Sequence, residues 1–163
     1  MNMKNNNPTE DEENLDPSDL DDLTHAEMIA LYRESTRTLL FAKTRQWSTL
    51  GATCVAQLVV VIIGTYISHE IAHDRALMIL SFLISSFAII ILIIYQLWQH
   101  TESLKIRRIN GFMSGHFRLV RKTKSSMEAN IHRYILLIIM IGAVIVANAI
   151  VYIILIERIA AAG

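Results

Sequence analysis

Three stretches of this chain carry no Asp, Glu, Lys or Arg. One lies between Arg45 and Glu70, the second covers 76–98 and the third covers 134–156. The apolar part of the first runs over 47–67. An α-helix rises 1.5 Å per residue, so about 20 residues cross an apolar slab about 30 Å thick. Each stretch meets that length. A soluble core helix of this size would keep a polar stripe, yet 81–98 and 135–156 are apolar on every face, as lipid requires. The first stretch follows a long polar region and has no small-residue cleavage site after it, so it reads as a span and not a leader. The expected fold class is an all-α integral membrane protein, with three transmembrane helices and helical cytoplasmic extensions.

The basic residues set the expected orientation. The segment 99–133 holds Lys105, Arg107, Arg108, Arg118, Arg121, Lys122, Lys124 and Arg133, and five more precede the first span. The short loop 68–75 has only Arg75, and the tail 157–163 has only Arg158. Thirteen against two is a strong positive-inside bias. It places the N-terminus and 99–133 in the cytoplasm, and 68–75 and the C-terminus outside. The inner (plasma) membrane of a bacterium is the expected location.

Formal neutrality, 15 basic against 15 acidic residues, is a cancellation by region. Residues 1–23 sum to −7 and 99–133 to +6, with +2 over 24–46 and −1 over 68–75. The acidic tail, with Pro8 and Pro17, has almost nothing to bury and is expected to be disordered. Order is expected from a capping box, Thr24 as N-cap with Glu27 at N3, flanked by the staple pair Leu23 and Met28. One helix should then run from about residue 25 to Ile67. Its juxtamembrane part, 24–46, could lie on the membrane, pack on the internal loop or bind a partner.

The internal segment reads as helix, break, helix. Residues 101–109 extend the second span, Asn110-Gly111 and Ser114-Gly115 punctuate the chain, and Ser125 with Glu128 forms a second capping box. Between them, basic residues alternate with Phe112, Met113, Phe117, Leu119 and Val120, a pattern suited to an anionic bilayer surface. Lys105, Arg107, Arg108, Arg118, Arg121, Lys122 and Lys124 are the candidate contacts to lipid headgroups or a partner. An ordinary topogenic signal accounts for the same charges. Nucleic acid is not an expected partner, because no recognition module accompanies the charge.

His69-Glu70-Ile71-Ala72-His73 matches H-E-x-x-H and resembles the zinc-metalloprotease signature. On a helix, His69 and His73 share a face and can both reach zinc, with Glu70 as general base; Asp74 or Glu157 would supply the third ligand. The resemblance covers five residues in a short hairpin without a substrate-binding strand. A polar external turn is the favoured reading, and no cofactor is expected. His25, His100, His116 and His132 lie outside the spans. A haem-binding redox anchor would want His within them.

No residue within the spans ionises at ordinary pH, which argues against a self-contained transporter. What they contain is Gln57, Ser81, Ser85, Ser86 and Asn148, with small residues four apart at Ala52/Ala56, Ser81/Ser85 and Ala143/Ala147. Gln57, Ser81, Ser85 and Asn148 are the candidate helix-packing residues, since amides, hydroxyls and small side chains let membrane helices approach and hydrogen-bond. Cys54 reads as a small apolar residue. Trp47, Tyr66, Tyr95, Trp98, Tyr134 and Tyr152 fall near span ends, as an aromatic belt would place them.

The expected function is non-catalytic: an accessory, scaffold or assembly subunit that packs on itself or another membrane protein and engages anionic headgroups. A membrane zinc metalloenzyme and the anchor of a redox complex are the alternatives.

Overall fold

The structure, a computed structural model, describes residues 20–67, 71–115, 117 and 126–162. Its described residues form a bundle of three long helices: α1 (Asp22–Ile62), α2 (Ile71–Phe112) and α3 (Ser126–Ala162). No strand occurs among the described residues. All three helices are long and apolar enough to cross a membrane. At 41 and 42 residues, α1 and α2 reach about 60 Å, twice the slab, so both extend far past their charge-free parts.

The N-cap of α1 lies three residues before the expected one. Asp21, in extended conformation, accepts from the Thr24 backbone N–H at 3.2 Å, so Asp21 is the N-cap and Thr24 lies inside the first turn. Its short carboxylate caps better than a threonine hydroxyl, and its charge, with that of Asp22, faces the positive end of the helix dipole. These hydrogen bonds from Thr24 hold the Asp21 carboxyl below its ordinary range.

At its far end α1 passes into a π-helical turn, Ile63–Ile67. The Ile63 N–H is shared between the Val59 and Val60 carbonyls, and the Thr65 hydroxyl bonds back to Val61. Such back-bonding competes with the ladder and accompanies the change of pitch. The wider turn brings Gly64 against α3, where a Cβ would overlap Leu155 Cδ2.

Two further boundaries differ from expectation. The loop expected over 68–75 is already helical from Ile71, so His73 and Asp74 belong to the first turn of α2. α2 also runs through Asn110-Gly111 and ends at Phe112. Buried Ile109 and Met113 anchor that last stretch, and their packing offsets a cost of about 1 kcal/mol for one glycine in a helix. The Ser125–Glu128 cap lies outside the described side chains, as do the tail over 1–19 and His116.

The core is a narrow seam. On α2 the buried positions include Ser81, Ser85, Ala88, Leu92, Gln96 and Gln99, three or four apart; on α1 they include Gln46, Thr53, Gln57 and Val60, at steps of seven, four and three. That spacing averages the 3.5 residues of a left-handed helix pair. α2 lies centrally, packing on α1 and α3, while α1 and α3 touch each other less. Two apolar clusters fill the seam: Val60, Val151 and Leu155 in one, Ala88, Leu92, Met140 and Val144 in the other.

The outward surface is the reverse of a soluble protein's. Leu58 is 59% exposed, Phe82 62% and Ile138 68%, all within the charge-free stretches. Soluble proteins rarely leave so much contiguous apolar surface uncovered, whereas hydrocarbon is its natural solvent. With three helices long and apolar enough to cross a membrane, this outward surface suggests an integral membrane protein.

The part of α1 before the first charge-free stretch packs on the extension of α2. Ser35 and Ala42 are buried there with Ile106 and Ile109, and Tyr32 meets Phe117 edge-on at 5.7 Å. Of the three arrangements open to this segment, the described residues show packing on the internal segment.

Candidate functional site

Polar layers interrupt the apolar seam at three levels. The middle one stands near the centre of the charge-free stretches. Gln57 donates from Nε2 to Ser85 Oγ at 2.7 Å and to the Ser81 carbonyl at 3.1 Å. Its Oε1 accepts from the Ser81 hydroxyl at 2.6 Å, and that hydroxyl also lies 2.7 Å from Asn148 Oδ1. One hydroxyl carries one proton, so both contacts are satisfied when Asn148 turns its amide nitrogen toward Ser81. The four residues marked for helix packing thus meet in one cluster that joins all three helices. Each interhelical bond of this kind contributes about 0.6–2 kcal/mol.

A second layer lies where the charge-free stretches give way to the basic segment. Gln46, 2% exposed, accepts from Gln99 Nε2 at 2.7 Å and donates to the Leu92 carbonyl at 3.3 Å. Arg133 donates to the Gln99 carbonyl at 3.3 Å and to the Ser103 hydroxyl. Again α1, α2 and α3 all contribute. Sequence reasoning missed Gln46, Gln99 and Arg133, because each sits just outside the segments 47–67, 76–98 and 134–156 read as spans. The three- and four-residue spacing from Ser81 to Gln99 is the signal that would have found them.

Beyond this layer, Glu102 is buried on the α1–α2 contact. Its ion pair with Lys105, 2.7 Å, is matched by a hydrogen bond from Ser35. Burial alone would raise its carboxyl; the Lys105 and Ser35 bonds outweigh that and hold it below its ordinary value.

The third polar level is at the opposite end. Asp74, 5% exposed, faces Arg158 Nε at 4.0 Å, and among the described residues its Oδ1 has no hydrogen-bond partner. His73 and Glu157, neighbours in sequence of this pair, are both exposed at the same end. No group of three possible metal ligands occurs among the described residues, while His69 and Glu70 lie outside them.

A cleft of about 840 Å³ opens beside the second layer. Gln46, Gln96 and Gln99 line it with Lys43, Arg107 and Arg133; His132 and Asn110 add further donors. Leu39, Trp47, Ile106 and Leu136 supply apolar wall. None of its described lining residues is a carboxylate. Burial first, and the nearby Arg107 charge second, pull the Arg133 guanidinium below its ordinary value.

The residues marked for headgroup contact therefore divide. Arg107 lines the cleft, Lys105 is paired with Glu102, and Arg108 is exposed on the α2 extension. Arg118, Arg121, Lys122 and Lys124 lie outside the described residues.

Across the outer face of the same level, Trp98 stacks on Tyr95 and meets Phe41 edge-on, while Arg45 sits 5.1 Å from the Phe41 ring centroid. Aromatic rings and a cation at one height suit a bilayer interface.

Comparison with protein-family models, with curated proteins and with solved structures finds no match to this chain.

Proposed function

We propose that this protein is a non-catalytic accessory, scaffold or assembly subunit of a bacterial inner membrane, with its N-terminus and 99–133 segment cytoplasmic and its C-terminus external. One observation carries the reading: three helices bind one another within their charge-free parts through a seam that holds buried amides and hydroxyls, and turn large apolar side chains outward. A seam that holds the bundle together leaves those outer faces for lipid and for a second membrane protein or a second copy. The absence of ionisable groups from 47–67, 76–98 and 134–156 supports a scaffold over a pump. The basic end supplies the second contact, to anionic headgroups, at about 1 kcal/mol for each cation close to the surface.

The test is purification of the full chain in mild detergent with identification of whatever co-purifies. A stoichiometric membrane partner, or a homo-oligomer, is expected. A monomer with hydrolytic activity that disappears in His73→Ala would overturn the reading.

A further inference from the structure

The cleft at the basic end differs from an ordinary positive-inside surface in two ways. Its cations come from all three helices, Lys43 from α1, Arg107 from α2 and Arg133 from α3, and they surround a cavity instead of lying along one exposed face. Arg133 is also fixed: its guanidinium is tied to the Gln99 carbonyl and the Ser103 hydroxyl. A side chain needed only to retain a loop on one side of the membrane has no use for such anchoring.

Height decides what could occupy the cavity. Trp47 and Leu136 lie within charge-free stretches, and Lys43, Arg107 and Arg133 lie just beyond them. The cations of the lining therefore all lie beyond the expected membrane boundary, while apolar wall continues on both sides of it. A ligand that matches has an anionic head and an apolar body. The volume, about 840 Å³, falls within the range of about 300–1,000 Å³ usual for small-molecule sites. Guanidinium groups favour phosphate, which they can grip with two parallel hydrogen bonds.

We propose that this cleft binds one anionic phospholipid per chain, its phosphate held by Lys43, Arg107 and Arg133 and its acyl chains lying against Trp47 and Leu136. The inference rests on the membrane reading above and adds a discrete site to it. Proximity of Arg107 to Arg133, already felt in the lowered proton affinity of Arg133, is relieved when a phosphate sits between them.

The test is native mass spectrometry of the full chain titrated with dioleoyl phosphatidylglycerol or dioleoyl phosphatidylcholine, with flotation on vesicles of the same lipids as a control for insertion. One phosphatidylglycerol should be retained in preference to phosphatidylcholine. Arg107→Gln with Arg133→Gln should weaken retention about 25-fold, and Lys43→Gln about fivefold, while Arg37→Gln removes an exposed charge of α1 outside the cleft and leaves it unchanged. The Lys43 variant decides the matter if the double variant fails to fold. Equal retention by wild type and cleft variants, or an equal loss in Arg37→Gln, would overturn the site, as would displacement of the lipid by millimolar inorganic phosphate, the mark of a small-anion site. A chain that fails to float contradicts the membrane reading; one that floats without retaining phosphatidylglycerol contradicts the site alone.

Discussion

Gln57 on α1 and Ser85 on α2 are joined at 2.7 Å near the centre of the charge-free stretches, both side chains at least 95% buried. The pair ties two helices at the depth where an unpaired amide has no water to turn to. Gln57→Ala removes a hydrogen-bond partner from Ser81 and from Ser85 at once. It should weaken helix association by about 1–3 kcal/mol. Reversible unfolding in mixed micelles would measure this. Gln57→Asn, too short to span the gap, should recover little.

Much of this arrangement was legible in the sequence. The absence of charge over 76–98 and 134–156 marked the helices, because a backbone in hydrocarbon must satisfy its own hydrogen bonds. Gln57, Ser81, Ser85 and Asn148 stood out because polar side chains are rare at that depth. Gln46, Gln99 and Arg133 did not, since a polar residue at a membrane boundary is cheap and needs no partner to account for it. The helix start slipped because Asp21 and Thr24 both suit an N-cap, and only the backbone geometry separates them. The course of α2 through Gly111 depended on Ile109 and Met113 finding a neighbour, which local propensity does not encode.

Gly64 faces Leu155 with no room for a methyl group. Gly64→Ala should cost about 1–3 kcal/mol through overpacking. Leu155→Ala leaves a void and is harmful alone, but combined with Gly64→Ala it should recover part of the loss. A double-mutant cycle on micellar stability reads the coupling, and simple additivity would mean that the two sites do not touch.

Asp74 is buried opposite Arg158, its second oxygen without a partner among the described residues. Arg158→Met should therefore destabilise the bundle by about 2 kcal/mol by leaving the carboxylate unmatched. Asp74→Asn should rescue that variant, since a neutral side chain no longer needs the cation. The melting temperatures of the two singles and the double provide the check.

Glu102 links the α1 and α2 extensions, and its carboxyl titrates below the ordinary value of 4.5. A depressed folded value means that its contribution is present above about pH 4.5 and is lost as pH falls through the folded value. Acidification below pH 4.5 should free the α1 segment around Ser35, seen as faster hydrogen exchange there. Glu102→Gln should abolish that pH dependence. Unchanged exchange in wild type down to the onset of global unfolding would contradict the assignment.

On the proposed topology, three spans place the basic segment and the N-terminus on one side of a membrane and the C-terminus on the other. Reporter fusions test it directly: alkaline phosphatase, active only outside the cytoplasm, is joined after Phe112 in one fusion and after Gly163 in the other. The expected result is an inactive enzyme at Phe112 and an active one at Gly163. Activity at Phe112, or its absence from a stably produced Gly163 fusion, would contradict it.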